Sequence, residues 1–168
     1  MLAHEMSGLW SEVFANRPLT VEMVLSAERG LGVVLPPAYV ELMREQNGGY
    51  VDGRAIRLDL SALTLDEEQR YYVGDGNIEV SSILGIDPGR PEESIYCSAA
   101  MADEWGLPRG LILLDGDGHT WIALDYRAVK ANPSVVYVIT DPLTILPLAP
   151  SFAAFLERLL PIDDALLE

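Results

Sequence analysis

The stretch VVLPPAYVELMREQNGGY, residues 33–50, constrains the fold more than any other part of the chain, because both ends of one helix are written into it. Pro36 and Pro37 fit a first helical turn, where an N–H has no intrahelical partner and proline's fixed φ is already helical. Tyr39, Leu42 and Met43 then form an apolar stripe, with Glu41, Arg44 and Glu45 turned toward water. Asn47-Gly48-Gly49 closes the segment with residues that tolerate positive φ and reverse the chain.

Two further helices are expected before it. In SGLWSEVFAN the pairs Leu9/Val13 and Trp10/Phe14 stand four apart, and in TVEMVLSAERGLG the residues Val21, Val24 and Leu25 follow Thr20 as N-cap, with Gly30 and Gly32 at the end. After Gly49 the period changes. AIRLDL, NIEVSSI, LILLD, HTWIALDY and SVVYVIT are short β-branched and aliphatic runs between turn signals, and they predict strands of one antiparallel sheet. LILLDGDGHTWIALDY reads as a hairpin around Gly116-Asp117-Gly118.

Between the second and third strands, PEESIYCSAAMADEW predicts a helix with Pro91 in its first turn and Glu92 and Glu93 at its positive dipole end. A last helix is expected in SFAAFLERLLP. Ser151 caps it, Phe152, Phe155, Leu156, Leu159 and Leu160 line one face, and Pro161 stops it. Helices, then strands, then a closing helix define an α+β class. No repeat, low-complexity tract or long linker divides residues 1–168, so a single domain is expected. Its 49% apolar content is enough for a sizeable core.

Charge narrows the partners. With 26 acidic against 11 basic side chains, the formal net charge of −15 repels phosphate backbones and anionic lipid surfaces. Neither nucleic acid nor membrane is therefore expected to bind directly, and no apolar run approaches the roughly 20 residues of a membrane-spanning helix. The single cysteine, Cys97, precludes an intramolecular disulfide and suits a reducing compartment. MLAHEMSGLW lacks a basic region followed by an apolar run, and a cytoplasmic protein is expected.

The residues offer little to an enzyme. His4 and His119 are the only imidazoles; His4 stands near the terminus, and His119 could pair with Cys97 only if that cysteine left an apolar setting that suits a buried structural thiol. Neither a Gly-x-Ser-x-Gly elbow, a phosphate-binding Gly-x-x-x-x-Gly-Lys loop nor a His-Glu-x-x-His pair occurs. Asp115, Asp117 and His119 alternate in the manner of metal ligands, yet an EF-hand loop starting at Asp115 would need Gly and Glu where Thr120 and Tyr126 stand. Turn geometry accounts for the same residues, so no metal, cofactor or catalytic residue is expected.

Taken together, AERGLGVVLPPAYVELMREQNGG resembles the opening signature of the SUKH superfamily, the Smi/Knr-type domains. A helix ends in Gly, followed by Leu35-Pro36, Tyr39 three residues on, the apolar pair Leu42 and Met43, and Asn47-Gly48-Gly49. The likeness continues in WGLPRGLILLDGDGHTWIALDYR and SFAAFLERLL, so that it runs from about Ala27 to Leu160; residues 51–95 match nothing specific to the family. The resemblance implies an α+β domain that binds other proteins without catalysis, with bacterial members that are immunity proteins against toxins, many of them nucleases, and a fungal branch that regulates cell-wall synthesis. A basic cognate toxin is then the expected partner, and acidic surfaces the expected contact. The candidates for that contact are Asp66, Glu67 and Glu68, together with Glu92 and Glu93, although an ordinary solvated helix end or loop is the commoner role for such residues. The alternative is a regulatory or scaffolding module for an endogenous protein. A homodimer is allowed by the composition and not demanded by it.

Overall fold

The computed structural model describes residues 8–165, and His4 lies outside them. Their order begins with strand β1 (Trp10–Val13), helix α1 (Val21–Leu31), helix α2 (Pro37–Glu45), β2 (Gly49–Arg57), α3 (Glu67–Val73) and β3 (Asn77–Ile83). Two 3-10 turns, Pro91–Glu93 and Ile95–Cys97, lead into α4 (Ser98–Trp105). Four strands come next, β4 (Leu111–Gly116), β5 (Thr120–Asp125), β6 (Ser134–Thr140) and β7 (Leu143–Ala149), and then α5 (Phe152–Glu157), β8 (Leu160–Pro161) and α6 (Ile162–Ala165). The α+β class expected from the sequence is what the chain adopts.

The best-written helices form as read. Thr20 Oγ1 accepts from the N–H of Met23, and Gly32 closes α1 in the left-handed conformation; Gly30 lies inside the helix rather than at its end. In α2 the proline pair opens the helix, Tyr39, Leu42 and Met43 are buried, and Gly48 takes φ +86° just beyond it. Ser151 caps α5 through the N–H of Ala154, but α5 stops at Glu157, and Leu160 pairs with Ala55 as part of β8.

Several expectations are corrected. The segment around Trp10 is a strand: Trp10 faces Val51, Val13 faces Gly49, and a bulge between Trp10 and Glu12 interrupts the two-residue alternation. That interruption is why the residues imitate a helical spacing, and Val13, 69% exposed, shares no buried face with Leu9. The strands make two sheets instead of one. The first has the order β1-β2-β3 with β8 also on β2, and the second the order β4-β5-β6-β7. The N–H of Leu84 donates to the carbonyl of Leu114 at 2.8 Å where the two sheets meet, and a single apolar cluster runs through both.

Strand β7 was not readable from LTILPLA because Pro147 argues against a strand; on the sheet's outer edge a missing N–H costs little. The predicted helix from Pro91 is broken at Ser94, whose hydroxyl accepts from the N–H of Asp87 and whose backbone bridges Gly85. Only Ser98–Trp105 of it is α-helical.

Candidate functional site

Helix α3 falls between the runs AIRLDL and NIEVSSI, where the sequence indicated no helix. Asp66 begins it with a reciprocal capping box: Asp66 Oδ1 accepts from the N–H of Gln69 at 2.8 Å, and Gln69 Oε1 accepts from the N–H of Asp66 at 2.9 Å. Gln69 Nε2 then donates to Thr144 Oγ1 at 3.0 Å, which ties the helix to β7. Asp66→Ala is therefore expected to lower stability by about 1 kcal/mol, read as a lower urea midpoint at constant slope.

Val73 is buried under α3, while Glu67, Glu68 and Tyr71 point to solvent; Tyr71 is 81% exposed. Its ring meets that of Tyr72 edge to face at 5.1 Å. The carbonyl of Tyr72 accepts from Tyr137 Oη at 2.8 Å, a second tie between α3 and the second sheet. Arg70, the one cation of the helix, turns back to donate from Nε to the carbonyl of Leu65 at 3.1 Å.

Two depressions share Tyr71 and Tyr72. One, of about 460 Å³, is bounded by Glu67, Glu68 and Asp141. The other, of about 440 Å³, lies between α3, β3 and the β4–β5 turn, and its charged lining is Asp75, Glu79, Asp115 and Asp117. Neither lining contains lysine or arginine. A cation entering this region meets carboxylates from several directions, and at about 4 Å each contributes roughly 4 kcal/mol of Coulomb attraction near a protein surface, before desolvation.

The five sequence-predicted contact residues thus separate. Glu67 and Glu68 lie on the acidic, tyrosine-bearing surface, with Asp66 as the cap that starts it. Glu92 and Glu93 belong to neither lining. Glu93 accepts from the N–H of Ala15 at 2.8 Å and from Arg90 Nε at 3.2 Å, and Glu92 stands 3.7 Å from Arg90. Glu93 is thus held within the fold and Glu92 lies beside the same guanidinium; Arg90 was the signal for that pairing in the sequence. The residues that sequence reasoning missed are Tyr71, Tyr72, Asp75, Glu79 and Asp141. Only the Asp-x-x-Gln capping pattern at Asp66 could have announced the helix that carries the tyrosines.

The former metal candidates diverge. Asp115 accepts from the N–H of Ser81 and from Ser82 Oγ, both at 2.7 Å. Asp117 Oδ1 accepts from the N–H groups of His119 and Thr120, both at 3.0 Å, which shapes the hairpin turn. The His119 ring rests edge-on against Trp105 at 5.5 Å. Among the described residues no three His, Cys, Asp or Glu side chains are grouped to hold a metal ion. Burial pushes the Cys97 thiol upward, away from the thiolate that a nucleophile requires.

Two helices leading into a pair of antiparallel sheets, with a short helix packed back through Phe152 on Tyr39 at 5.3 Å, define an α+β domain whose motif residues are caps and core. The family model described as SMI1 / KNR4 family (SUKH-1) matches residues 18–158, and the chain belongs to that family. No curated protein and no solved structure matches it. No helix among the described residues is long and apolar enough to cross a membrane.

Proposed function

We propose that this chain is a cytoplasmic immunity protein, one that neutralises a cognate basic toxin by covering its active surface, without catalysis of its own. The observation that carries the reading is the acidic depression beside α3, which Glu67, Glu68 and Asp141 line together with an exposed tyrosine and whose lining holds no basic side chain. A toxin that grips phosphate presents a basic surface of complementary sign, and long-range attraction speeds such an encounter. The net charge of −15 supports the same direction of steering and opposes contact with nucleic acid itself.

The test is capture of the partner from lysate of the source organism along a salt gradient, followed by co-expression of the recovered domain with and without this chain. Release by salt and restored growth are expected. Replacing Glu67 and Glu68 with lysine should weaken the complex by about tenfold, chiefly through a slower association rate. A complex indifferent to salt and to these substitutions would remove the electrostatic basis. Recovery of host proteins with no protection would instead identify a regulatory or scaffolding module.

A further inference from the structure

Asp115 is a carboxylate that the fold buries without supplying a cation. It is 8% exposed, it lines the cleft between α3, β3 and the β4–β5 turn, and it enters none of the ion pairs among the described residues. Its hydrogen bonds come from neutral donors, the N–H of Ser81 and the hydroxyl of Ser82. Burial raises its carboxyl above the usual range, and those donors offset only part of that desolvation. The position is set by a bulge: β4 pairs Leu113 with Ala123 and then Asp115 with Ile122, and this shift sends the side chain toward β3.

The surroundings suit one kind of visitor. Glu79 on β3 and Asp75 before it add negative charge, and Tyr71, Tyr72 and Tyr137 add aromatic surface. A planar guanidinium is weakly hydrated, binds carboxylate through two N–H groups and stacks on aromatic rings, whereas an ammonium keeps its hydration and lacks the fork. We propose that this cleft receives one arginine side chain from a basic protein partner, with the guanidinium directed at Asp115 and its aliphatic stem against the tyrosines. The proposal rests on the occlusion reading for the identity of the partner, and it names the group that the partner inserts.

The full chain, labelled with ¹⁵N, is titrated with acetyl-arginine methylamide, and separately with acetyl-citrulline methylamide, the neutral analogue of equal length. Saturable shifts are expected at the amides of Ser81, Ser82, Asp115 and Gly116 with arginine, with affinity about tenfold lower for citrulline. Glu79→Gln and Tyr71→Ala, both at exposed side chains, should each weaken the arginine titration by about threefold. Asp115→Asn should abolish the saturable component if it folds; if it does not, the two exposed substitutions still decide.

Equal response to citrulline, no saturable shift at the four amides, or shifts unaffected by Glu79→Gln and Tyr71→Ala would each overturn the arginine receptor. The probe contains no toxin. A silent titration therefore removes the receptor and leaves a salt-released toxin complex standing, while a failed toxin capture leaves the titration to be read on its own.

Discussion

Asn47→Ala is expected to destabilise the fold by about 3 kcal/mol, measured as a fall in the urea midpoint with the slope unchanged. Asn47 is buried between three chain segments. Its Nδ2 donates to the carbonyls of Arg17 at 2.8 Å and Ile86 at 2.9 Å, and its Oδ1 accepts from the N–H of Ile86 at 2.7 Å. Alanine would leave all three backbone groups without that partner, and each buried group left unpaired costs about 1 to 3 kcal/mol unless water replaces it. Asn47→Asp is the sharper control: it keeps the acceptor for Ile86 but aims a carboxylate at two carbonyl oxygens, so it should cost at least as much as alanine. A loss below about 1 kcal/mol for Asn47→Ala would mean that water fills the site as well as the amide does.

The glycines beside it explain why the triplet is Asn-Gly-Gly. A Cβ on Gly48 would stand 2.7 Å from the backbone nitrogen of Gly85, and Gly48 already holds φ +86°. A Cβ on Gly49 would meet the carbonyl oxygen of Glu12. The turn is thus a point where β1, the loop after β3 and the end of α2 approach closely, and the helix stop read from the sequence is also a three-way junction.

That double role shows where sequence reasoning reaches its end. The caps at Thr20 and Ser151, the proline-led start of α2 and the hairpin at Gly116-Asp117-Gly118 depend on residues within a few positions of each other, and all were legible. The division into two sheets was not, because it depends on which strands pair over long separations. Nor was the role of Asp115. In sequence it alternates with Asp117 and His119, but the bulge in β4 sends it to Ser81 and Ser82, more than thirty positions away, while Asp117 stays with its own turn. The acidic surface likewise gathers Glu67, Glu79, Asp115 and Asp141 from four separate segments. Local acidity found the first of them in α3, and it also selected Glu92 and Glu93, which Arg90 and the N–H of Ala15 already engage.

The acid limb of stability should belong in good part to Asp87. This carboxylate is 0% exposed, and Arg17 reaches it with Nη2 at 2.7 Å and Nε at 3.2 Å. The N–H groups of Arg17 and Gly89, both at 2.9 Å, complete the cradle. The Arg17 side-chain hydrogen bond is the largest cause that holds the carboxyl far below the usual range. Because the folded-state value lies below the unfolded one, the ionised form stabilises the fold; that contribution is complete above the unfolded value of about 4 and is lost as pH falls through the folded value. Asp87→Ala is expected to cost about 2 to 3 kcal/mol at pH 7, less than a fully enclosed ion pair would, because most of the Arg17 side chain remains in water. Urea unfolding of both proteins from pH 7 down to pH 2 reads the effect as a difference. Titrations shared by the two, including relief of the repulsion behind the −15 charge, largely cancel in it. The difference should narrow below about pH 4, where the unfolded form of the unaltered chain takes up a proton at Asp87 that the folded form still excludes. A gap that stays constant to pH 2 would assign the loss to packing and neutral hydrogen bonds, and would leave the ionisation of Asp87 without a part in it.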